Sequence, residues 1–320
     1  MNDVKIVTLG GGTGLSTMLR GLKKYYHNIT AIVTVADNGG GSGVLREEMN
    51  MLPPGDIRNC IVALSNTEPI MEKIFNYRFD KGSLAGQSFG NLFLAAMNGI
   101  HDGFEEAVRH TGEVLAITGK VVPVSCENIQ LCATFENGSI VFGESEIVQV
   151  AKKTKKKIID IKLSPSHPAP GTEVIKSLEE ADIIVLGPGS LYTSIIPNLL
   201  VKGVKEAINN SKAKIVYVGN IMTQPGETDG YNLMNHIETI EKYLEHDIID
   251  YVIINNDKIP EDFIKLYDDD GAEPVLYNEN DFKNRKSIIV ESKIMKILEK
   301  RNLVRHDPEK LAACINSLNV

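Results

Sequence analysis

The chain reads as an α/β protein: a Rossmann-like, doubly wound, mostly parallel sheet that carries a helical and small antiparallel insertion. Three observations predict this. Several strand-like runs are apolar without alternation, as strands covered on both faces must be. Helical spacing lies between those runs, and strands alternating with helices imply right-handed βαβ units. The runs end in glycine-rich or polar loops, and open α/β sheets bind ligands beyond the carboxyl ends of their strands.

The first strand is Val4-Lys5-Ile6-Val7-Thr8-Leu9. After Gly10-Gly11-Gly12-Thr13-Gly14, residues Leu15, Met18, Leu19 and Leu22 recur at helical spacing. Thr30 to Ala36 is the second strand and runs into Asp37-Asn38-Gly39-Gly40-Gly41-Ser42-Gly43. Residues 68–116 read as mostly helical, and short strands follow from about Val121 to Val150. Asn137-Gly138, between Leu131–Phe135 and Ile140–Phe142, is a hairpin signal. We therefore expect an antiparallel insertion over 120–165, with the basic run Lys152 to Lys157 as a solvated edge. Pro165, Pro168 and Pro170 mark a stiff connector. Three continuous apolar runs come next, Asp182–Leu186, Lys214–Val218 and Tyr251–Ile254. Helical patterns lie between them, around Leu199–Ile208 and Tyr231–Leu244. The organisation expected is one α/β domain, with a core over 1–67 and 171–320 and an insertion over about 68–170.

Composition narrows the function. The 320 residues carry 34 Lys+Arg against 42 Asp+Glu, a net charge of −8. That balance disfavours nucleic acid and anionic membranes as partners. No Trp is present and aromatics are only 6%, which argues against base-stacking platforms. Cys60, Cys126, Cys132 and Cys314 form no CxxC pair and read as small buried hydrophobes. The seven His make neither H-x-x-x-H nor H-E-x-x-H, so no zinc site is expected. No apolar run approaches the ~18 residues of a membrane span. The start is too short before its glycines to be a signal peptide, so the expected address is the cytoplasm.

The loops carry the chemistry. Gly11, Gly12, Thr13 and Gly14 sit between strand and helix, where backbone N–H groups and a helix N-terminus favour a phosphate. The turn matches neither G-x-G-x-x-G nor a Walker A loop; a tight βα turn without a ligand is the alternative. Asp37 ends the second strand, where a dinucleotide fold places an acid on a ribose. It is expected to face a ligand, through a hydroxyl or a Mg²⁺ ion, or else to cap a turn. Asn38, Gly39 and Gly40 extend that loop as phosphate-binding candidates. In Leu52-Pro53-Pro54-Gly55-Asp56-Ile57-Arg58-Asn59, Asp56 reads as an N-cap. Arg58 and Asn59 then fall in the first helical turn, where Arg58 pairs with a phosphate or with a surface acid. Gly86 to Gly90 formally matches G-x-S-x-G but lacks the preceding strand that a nucleophile elbow needs. Ser88 reads instead as the N-cap of a helix over Asn91–Met97, whose start, with Asn91, can donate to an anion. Gly187, Gly189 and Ser190 follow one buried strand, and Asn220 and Thr223 follow the next. Their convergence on one sheet edge is the most specific signal in the chain.

These residues resemble the YvcK/CofD-like family. Thr-Val-Ala-Asp-Asn-Gly-Gly-Gly-Ser-Gly (34–43), Leu-Pro-Pro-Gly-Asp-Ile-Arg-Asn (52–59) and Ser-Phe-Gly-Asn-Leu (88–92) carry the likeness. So do Gly-Pro-Gly-Ser-Leu-Tyr-Thr-Ser-Ile-Ile-Pro-Asn (187–198) and Asn-Ile-Met-Thr-Gln-Pro-Gly-Glu-Thr (220–228). Gly-Ala-Glu-Pro-Val (271–275) and Val-Arg-His-Asp-Pro (304–308) resemble the YvcK, or gluconeogenesis factor, branch. The resemblance implies a Rossmann-like core with a nucleotide-diphosphate site. It implies a regulator that binds a nucleotide sugar such as UDP-N-acetylglucosamine and serves carbon metabolism and cell shape. The alternative it implies is a CofD-like transferase, moving a phospho-acyl group from a nucleotide-diphospho donor to an alcohol. The branch tail further implies that Tyr267 suits a base and Arg305 a diphosphate; core packing for Tyr267 and an ion pair with Asp307 for Arg305 are the structural alternatives. The acidic loop departs from the usual pattern: Asn38 stands for a second Asp, Gly41 for a Ser, and Val44 where Arg is common. One carboxylate fewer weakens a Mg²⁺-dependent transfer. A protein partner and a homo-oligomer are expected, with Mg²⁺ the only cofactor admitted.

Overall fold

Seven parallel strands form the centre of the computed structural model, which describes residues 3–318. β1 (Ile6–Gly10) leads to α1 (Gly12–Leu22), and β2 (Ile29–Val33) to α2 (Gly40–Met49) and α3 (Gly55–Leu64). α4 (Pro69–Asn76), α5 (Phe89–Ile100) and α6 (Phe104–Val114) precede β3 (Lys120–Pro123). A detour builds β4 (Gln130–Phe135), β5 (Ile140–Phe142), α7 (Glu144–Thr154) and β6 (Ile158–Ser164). The chain returns through α8 (Val174–Glu179), β7 (Ile183–Leu186), α9 (Ile196–Leu199), α10 (Val204–Asn210) and β8 (Lys214–Val218). It ends with α11 (Leu233–Leu244), β9 (Tyr251–Asn255), α12 (Glu261–Asp269), β10 (Ile288–Ser292), a hairpin of β11 (Met295–Leu298) and β12 (Leu303–His306), and α13 (Pro308–Asn316).

The main sheet runs β10-β9-β8-β7-β1-β2-β3. Every residue of β1, β2 and β7 is buried, which is why their sequences do not alternate. From β1 the chain builds outward to β3 on one side; from β7 it builds outward to β10 on the other. The sheet order therefore reverses between β1 and β7, and the crevice there is where such folds bind ligands. Leu9 pairs with Leu186 in register, so the loops after both strands emerge side by side.

Two expectations need correction. β3 is not part of an antiparallel insertion: it is the parallel edge strand of the main sheet, with Ala31 opposite Val121 and Val33 opposite Pro123. A run this short carries no periodicity that distinguishes the two pairings. The antiparallel sheet, in the order β5-β4-β6, spans 130–164 only. There Leu131, Ala133 and Phe135 face inward while Cys132 and Thr134 are less covered, the alternation of a one-sided sheet. Second, residues 144–154 are helical, with Ile147 and Ala151 buried one turn apart. The basic run is thus divided between the last turn of α7 and the link to β6, and Lys152 borders the ligand cleft described below.

Cys60 and Cys314 are buried, but Cys132 is half-covered and Cys126 exposed, so only two of the four are core residues; all are free thiols. No described helix is long and apolar enough to cross a membrane.

Asn198 fastens the switch point. It is fully buried, and its Nδ2 donates to Gly10 O (3.2 Å) and Ser194 O (2.7 Å). It thereby joins the end of β1 to the segment after β7. Asn198→Ala leaves both carbonyls short of a donor and is expected to cost about 1–3 kcal/mol of stability. Urea unfolding measures this; an unchanged midpoint would show that the tie is dispensable.

Candidate functional site

A cleft of about 570 Å³ lies beyond the carboxyl ends of β1, β7 and β8. That is within the roughly 300–1,000 Å³ of small-molecule sites. Its floor is made of Gly11, Gly12, Thr13 and Gly14, then Pro188, Gly189 and Ser190, then Asn220 and Thr223. One wall is α7, with Glu144 and Lys152; another is built from Tyr267 of α12 with Arg305 and His306 of β12. Three of the predicted loops therefore meet in one place.

The first turn has no room to spare on its protein side. A Cβ on Gly11 would sit 2.7 Å from both Asp56 Oδ2 and Thr34 Cγ2, and one on Gly14 would sit 2.9 Å from the Pro188 carbonyl carbon. Gly12 is the reverse case. Its φ is +65°, and an added Cβ would meet nothing within 4 Å, because it would point into open space. Behind the turn, Asp56 accepts the Gly12 backbone N–H. Asp56 is therefore not an N-cap: α3 is capped by Pro54, and Asp56 lies inside its first turn. One amide expected to hold phosphate is thus bound within the protein. The N-terminus of α1 has neither a side-chain cap nor an acid in its first turn, so its remaining donors stay suited to an anion.

Three carboxyls near this turn are raised. Burial pushes Asp56 up to about 6, partly offset by the Gly12 N–H. Burial pushes Glu144 up to about 8, and the charges of Asp37 and Asp56 add to it; the Thr193 hydroxyl opposes them. Burial pushes Glu227 up to about 7, against hydrogen bonds from the Ser190 hydroxyl and the Tyr192 N–H. Near neutral pH, Glu144 is consequently mostly protonated and Glu227 about half so, whereas Asp56 is largely ionised. His306 is driven down to about 4 by burial, so it is neutral and its Nε2 donates to Gly219 O (3.2 Å).

Tyr267 and Arg305 come together. The Tyr267 hydroxyl accepts from Val304 N (2.9 Å) and from Arg305 Nη1 (3.2 Å), and Arg305 Nη1 also donates to Val304 O (2.8 Å). Arg305 is itself exposed, and the rest of its donor fork meets no acceptor among the described residues. Asp307 is no ion partner for it: its carboxylate caps α13 by accepting from Glu309 N and Lys310 N. In the neighbouring loops, Asn220 Nδ2 donates to Gly189 O (2.9 Å), and Thr223 Oγ1 accepts from Glu273 N (2.9 Å).

The other predicted residues stand outside the cleft lining. Gly187 precedes Pro188 in the chain but does not line the cleft. Asp37 Oδ1 accepts from Gly39 N (2.8 Å), just before α2 begins at Gly40. Asn38 anchors α7, with Nδ2 donating to Glu146 Oε2 (2.8 Å) and Oδ1 accepting from Ser145 N (3.1 Å). Arg58 is buried and clamps α3 to α5: Nη1 donates to Ser88 Oγ and Nη2 to Asn59 Oδ1, both at 2.6 Å. It is neither a surface ion pair nor a lining group. Ser88 is the N-cap of α5, as its sequence suggests, accepting from Asn91 N (3.2 Å). Sequence reasoning missed Glu144, Glu227 and Lys152. Glu227 stood in a loop already singled out, so its position after Gly226 was the available signal. Glu144 and Lys152 gave none, because the insertion carries them to the cleft.

The raised carboxyls fix a pH dependence. In the unfolded chain they titrate near 4, so between pH 5 and 8 the unfolded state has fewer bound protons than the folded one. These carboxyls make ligand-free stability fall as pH rises through this window, by up to about 1.4 kcal/mol per pH unit for each group, less what water in the cleft screens, while the buried neutral His306 works in the opposite sense below about pH 6.5. Glu227→Gln should flatten the decline between pH 5 and 7. Thermal melts from pH 5 to 8 decide it, and a wild-type melting temperature that rises over that range would contradict the assignment.

The chain matches the family model described as 2-phospho-L-lactate transferase CofD over residues 6–295. It is 55% identical over 320 residues to a Thermoanaerobacterium thermosulfurigenes protein that carries the name gluconeogenesis factor provisionally, covering 99% of this chain and 98% of that one. It is 42% identical over 315 residues to the Gluconeogenesis factor of Bacillus subtilis, covering 98% of each. The fold superposes on the crystal structure of a Bacillus halodurans protein with a TM-score of 0.93 at 42% identity, covering 99% of this chain and 100% of that one. With its switch-point cleft, its seven-stranded parallel sheet and these likenesses, the chain belongs to the CofD-like family, in the branch of the gluconeogenesis factors.

Proposed function

We propose that the cleft binds a nucleotide sugar of the UDP-N-acetylglucosamine type, and that the protein acts as a ligand-dependent regulator. The name shared by its relatives links that role to carbon metabolism during gluconeogenic growth; a further role in cell shape and wall synthesis, through a protein partner and a homo-oligomeric state, belongs to the same reading. The observation that carries it is the meeting of the β1–α1 and β7 glycine turns at the point where the sheet order reverses. Backbone donors there suit phosphates, and Arg305 adds a planar fork that matches a diphosphate. Raised carboxyls beside the turns let an anion approach without facing full negative charges.

The second reading, a CofD-like transferase, rests on the family model. It would use Mg²⁺, which binds through one or two carboxylates plus substrate phosphates. Asp37 is the predicted ligand. Among the described residues no group of three or more His, Cys, Asp or Glu is placed to hold a metal ion, and Asp37 Oδ1 is already engaged by Gly39 N.

Calorimetric titration with UDP-N-acetylglucosamine tests the first reading. Gly12→Ala places a methyl where the cleft is open and should abolish binding, while the positive φ costs about 1–2 kcal/mol of stability. Arg305→Lys should weaken binding by about ten- to a hundredfold, the 1.5–3 kcal/mol of a hydrogen bond to a charged group. Its ligand-free melting temperature should hardly move, because exposed contacts contribute under about 1 kcal/mol. Wild-type affinity in both variants would remove the cleft as the binding site. Asp37→Asn separates the two readings: Mg²⁺-dependent turnover in the wild type that disappears in the variant would establish the transferase.

A further inference from the structure

The two edges of the main sheet are finished differently. At β3 the edge is closed. Val124 N donates to Val33 O (2.9 Å), so Pro123, one residue earlier, stands where an amide would face away from β2, and proline has no N–H to offer there. The chain at Gly171 lies across the same place, so close that a Cβ on Gly171 would sit 2.5 Å from Pro123 O. At β10 the edge is open. Ile288 N donates to Asp250 O (2.8 Å) and Ser292 O accepts from Asn256 N (3.1 Å), which turns residues 288, 290 and 292 towards β9. The N–H and C=O groups of Ile289 and Glu291 therefore point outward, and among the described residues no backbone group pairs with them. β10 has no proline, lysine or bulge, the usual means of blunting an edge. Its run Ile288-Ile289-Val290 is apolar, and Ile288 is 55% exposed. A groove of about 360 Å³ adjoins the strand, lined by Ile289, Tyr277 and Phe282 and by the exposed Glu279, Lys283 and Glu291. Lys283 and Glu291 have no ion-pair partner among the described residues; Glu291 is met only by Asn256 Nδ2 (3.4 Å).

We propose that β10 pairs with β10 of a second copy of this chain, antiparallel and across a two-fold axis at Ile289, so that two seven-stranded sheets join edge to edge. The sequence selects the occupant. Ser287-Ile288-Ile289-Val290-Glu291 reads in both directions as polar, three apolar, polar. An antiparallel copy centred on Ile289 sets Ile289 against Ile289, Ile288 against Val290 and Glu291 against Ser287. Residues 287, 289 and 291 share the outward alternation, so the matched residues are also those able to exchange hydrogen bonds. A centre at Val290 would instead oppose Ile289 with Glu291, and a centre at Glu291 would oppose two carboxylates. Opposite residues in such a pair lie on one face, so Ile289 of each copy meets the other copy's groove beside Tyr277 and Phe282. Each copy also brings a Lys283 and a Glu291 that its own chain leaves unpaired, charges of opposite sign at one contact. The contact is isologous and closes at two copies. It gives a surface to the homo-oligomeric state of the reading above and does not depend on what the cleft binds.

Sedimentation equilibrium of the full chain over a dilution series tests this. Ile289→Pro removes the outward N–H without removing a bond to β9, which is where a sheet tolerates proline. Ile289→Lys leaves the backbone intact and sets like charges face to face on the axis. Circular dichroism confirms folding, and the lysine variant decides if the proline variant does not fold. Ile100→Lys is the control, at an apolar side chain 72% exposed on the end of α5. The wild type should associate in pairs, and each folded Ile289 variant should raise the dissociation constant about tenfold or more, with the control within about twofold of the wild type. Undiminished association in a folded Ile289 variant overturns the pairing, and so does an equal loss in Ile100→Lys. A monomeric wild type overturns the pairing together with the homo-oligomeric state, and leaves the edge to a strand from a different protein. Binding in the cleft is judged separately by its own titration.

Discussion

A carboxylate behind the first glycine turn sets the terms for the rest of the cleft. Asp56 accepts the Gly12 N–H and lies so close to Gly11 that no side chain fits there. The contact fixes the turn from the protein side and leaves its other face open. It also carries a cost, since an acid is placed beside a surface meant for an anion. The cost is reduced by raising the acid: burial makes ionisation unfavourable, and each neighbouring carboxylate raises the others further. The charge of Asp37 raises both Asp56 and Glu144 in this way, and those of Asp56 and Glu227 raise Glu144 further. The cleft can therefore contain carboxyls as hydrogen-bonding groups without presenting their full charge.

The same set of contacts explains why the insertion belongs to the site. α7 is held at its start by Asn38, which pairs with Ser145 N and Glu146, and it packs on the loop after β8, where a Cβ on Gly226 would meet Lys152 Cγ at 2.9 Å. Held there, α7 brings Glu144 to Thr193 and Lys152 to the cleft. The opposite wall is a separate small core of Ile221, Met222, Ile259, Met295 and Val304, against which Tyr267 packs. The floor is thus rigid sheet and turn, whereas both walls are later additions to it.

Much of this was legible in the sequence because burial on both faces leaves a plain mark. β1, β2, β7, β8 and β9 appear as unbroken apolar runs, and the loops after the first four were read as the site, three of which line the cleft. What escaped has physical reasons. β3 is four residues long, too short for any period to show. α7 sits between short strands and was absorbed into their pattern, although Ile147 and Ala151 stand at helical spacing. Asp56 follows Pro-Pro-Gly, a turn signal that matches an N-cap, but the helix begins one residue earlier and turns the carboxylate inward. No local pattern in the chain announces such a difference of one residue, because it is decided by the packing of the glycine turn against α3.

The long motifs that carry the family likeness divide in the same way. Gly11 to Gly14, Gly189, Ser190, Asn220 and Thr223 line the cleft; Arg58, Asn59, Ser88 and Asn91 do not. Arg58 has no carboxylate within ion-pair distance among the described residues, and a Cβ on Gly90 would meet its Cδ at 2.6 Å, so the guanidinium is packed in and solvated by Ser88 and Asn59. A buried cation held by neutral acceptors is destabilising unless its geometry is kept. That requirement restricts the sequence around it as tightly as a ligand would. Residue patterns of equal length can therefore mark either a ligand surface or the scaffold that aims it, and the distinction rests on which groups face open space. By that criterion the recognition surface is the strand-end floor with its two walls, while the Arg58 cluster fixes α3 and, through Asp56, the turn on which a phosphate would rest.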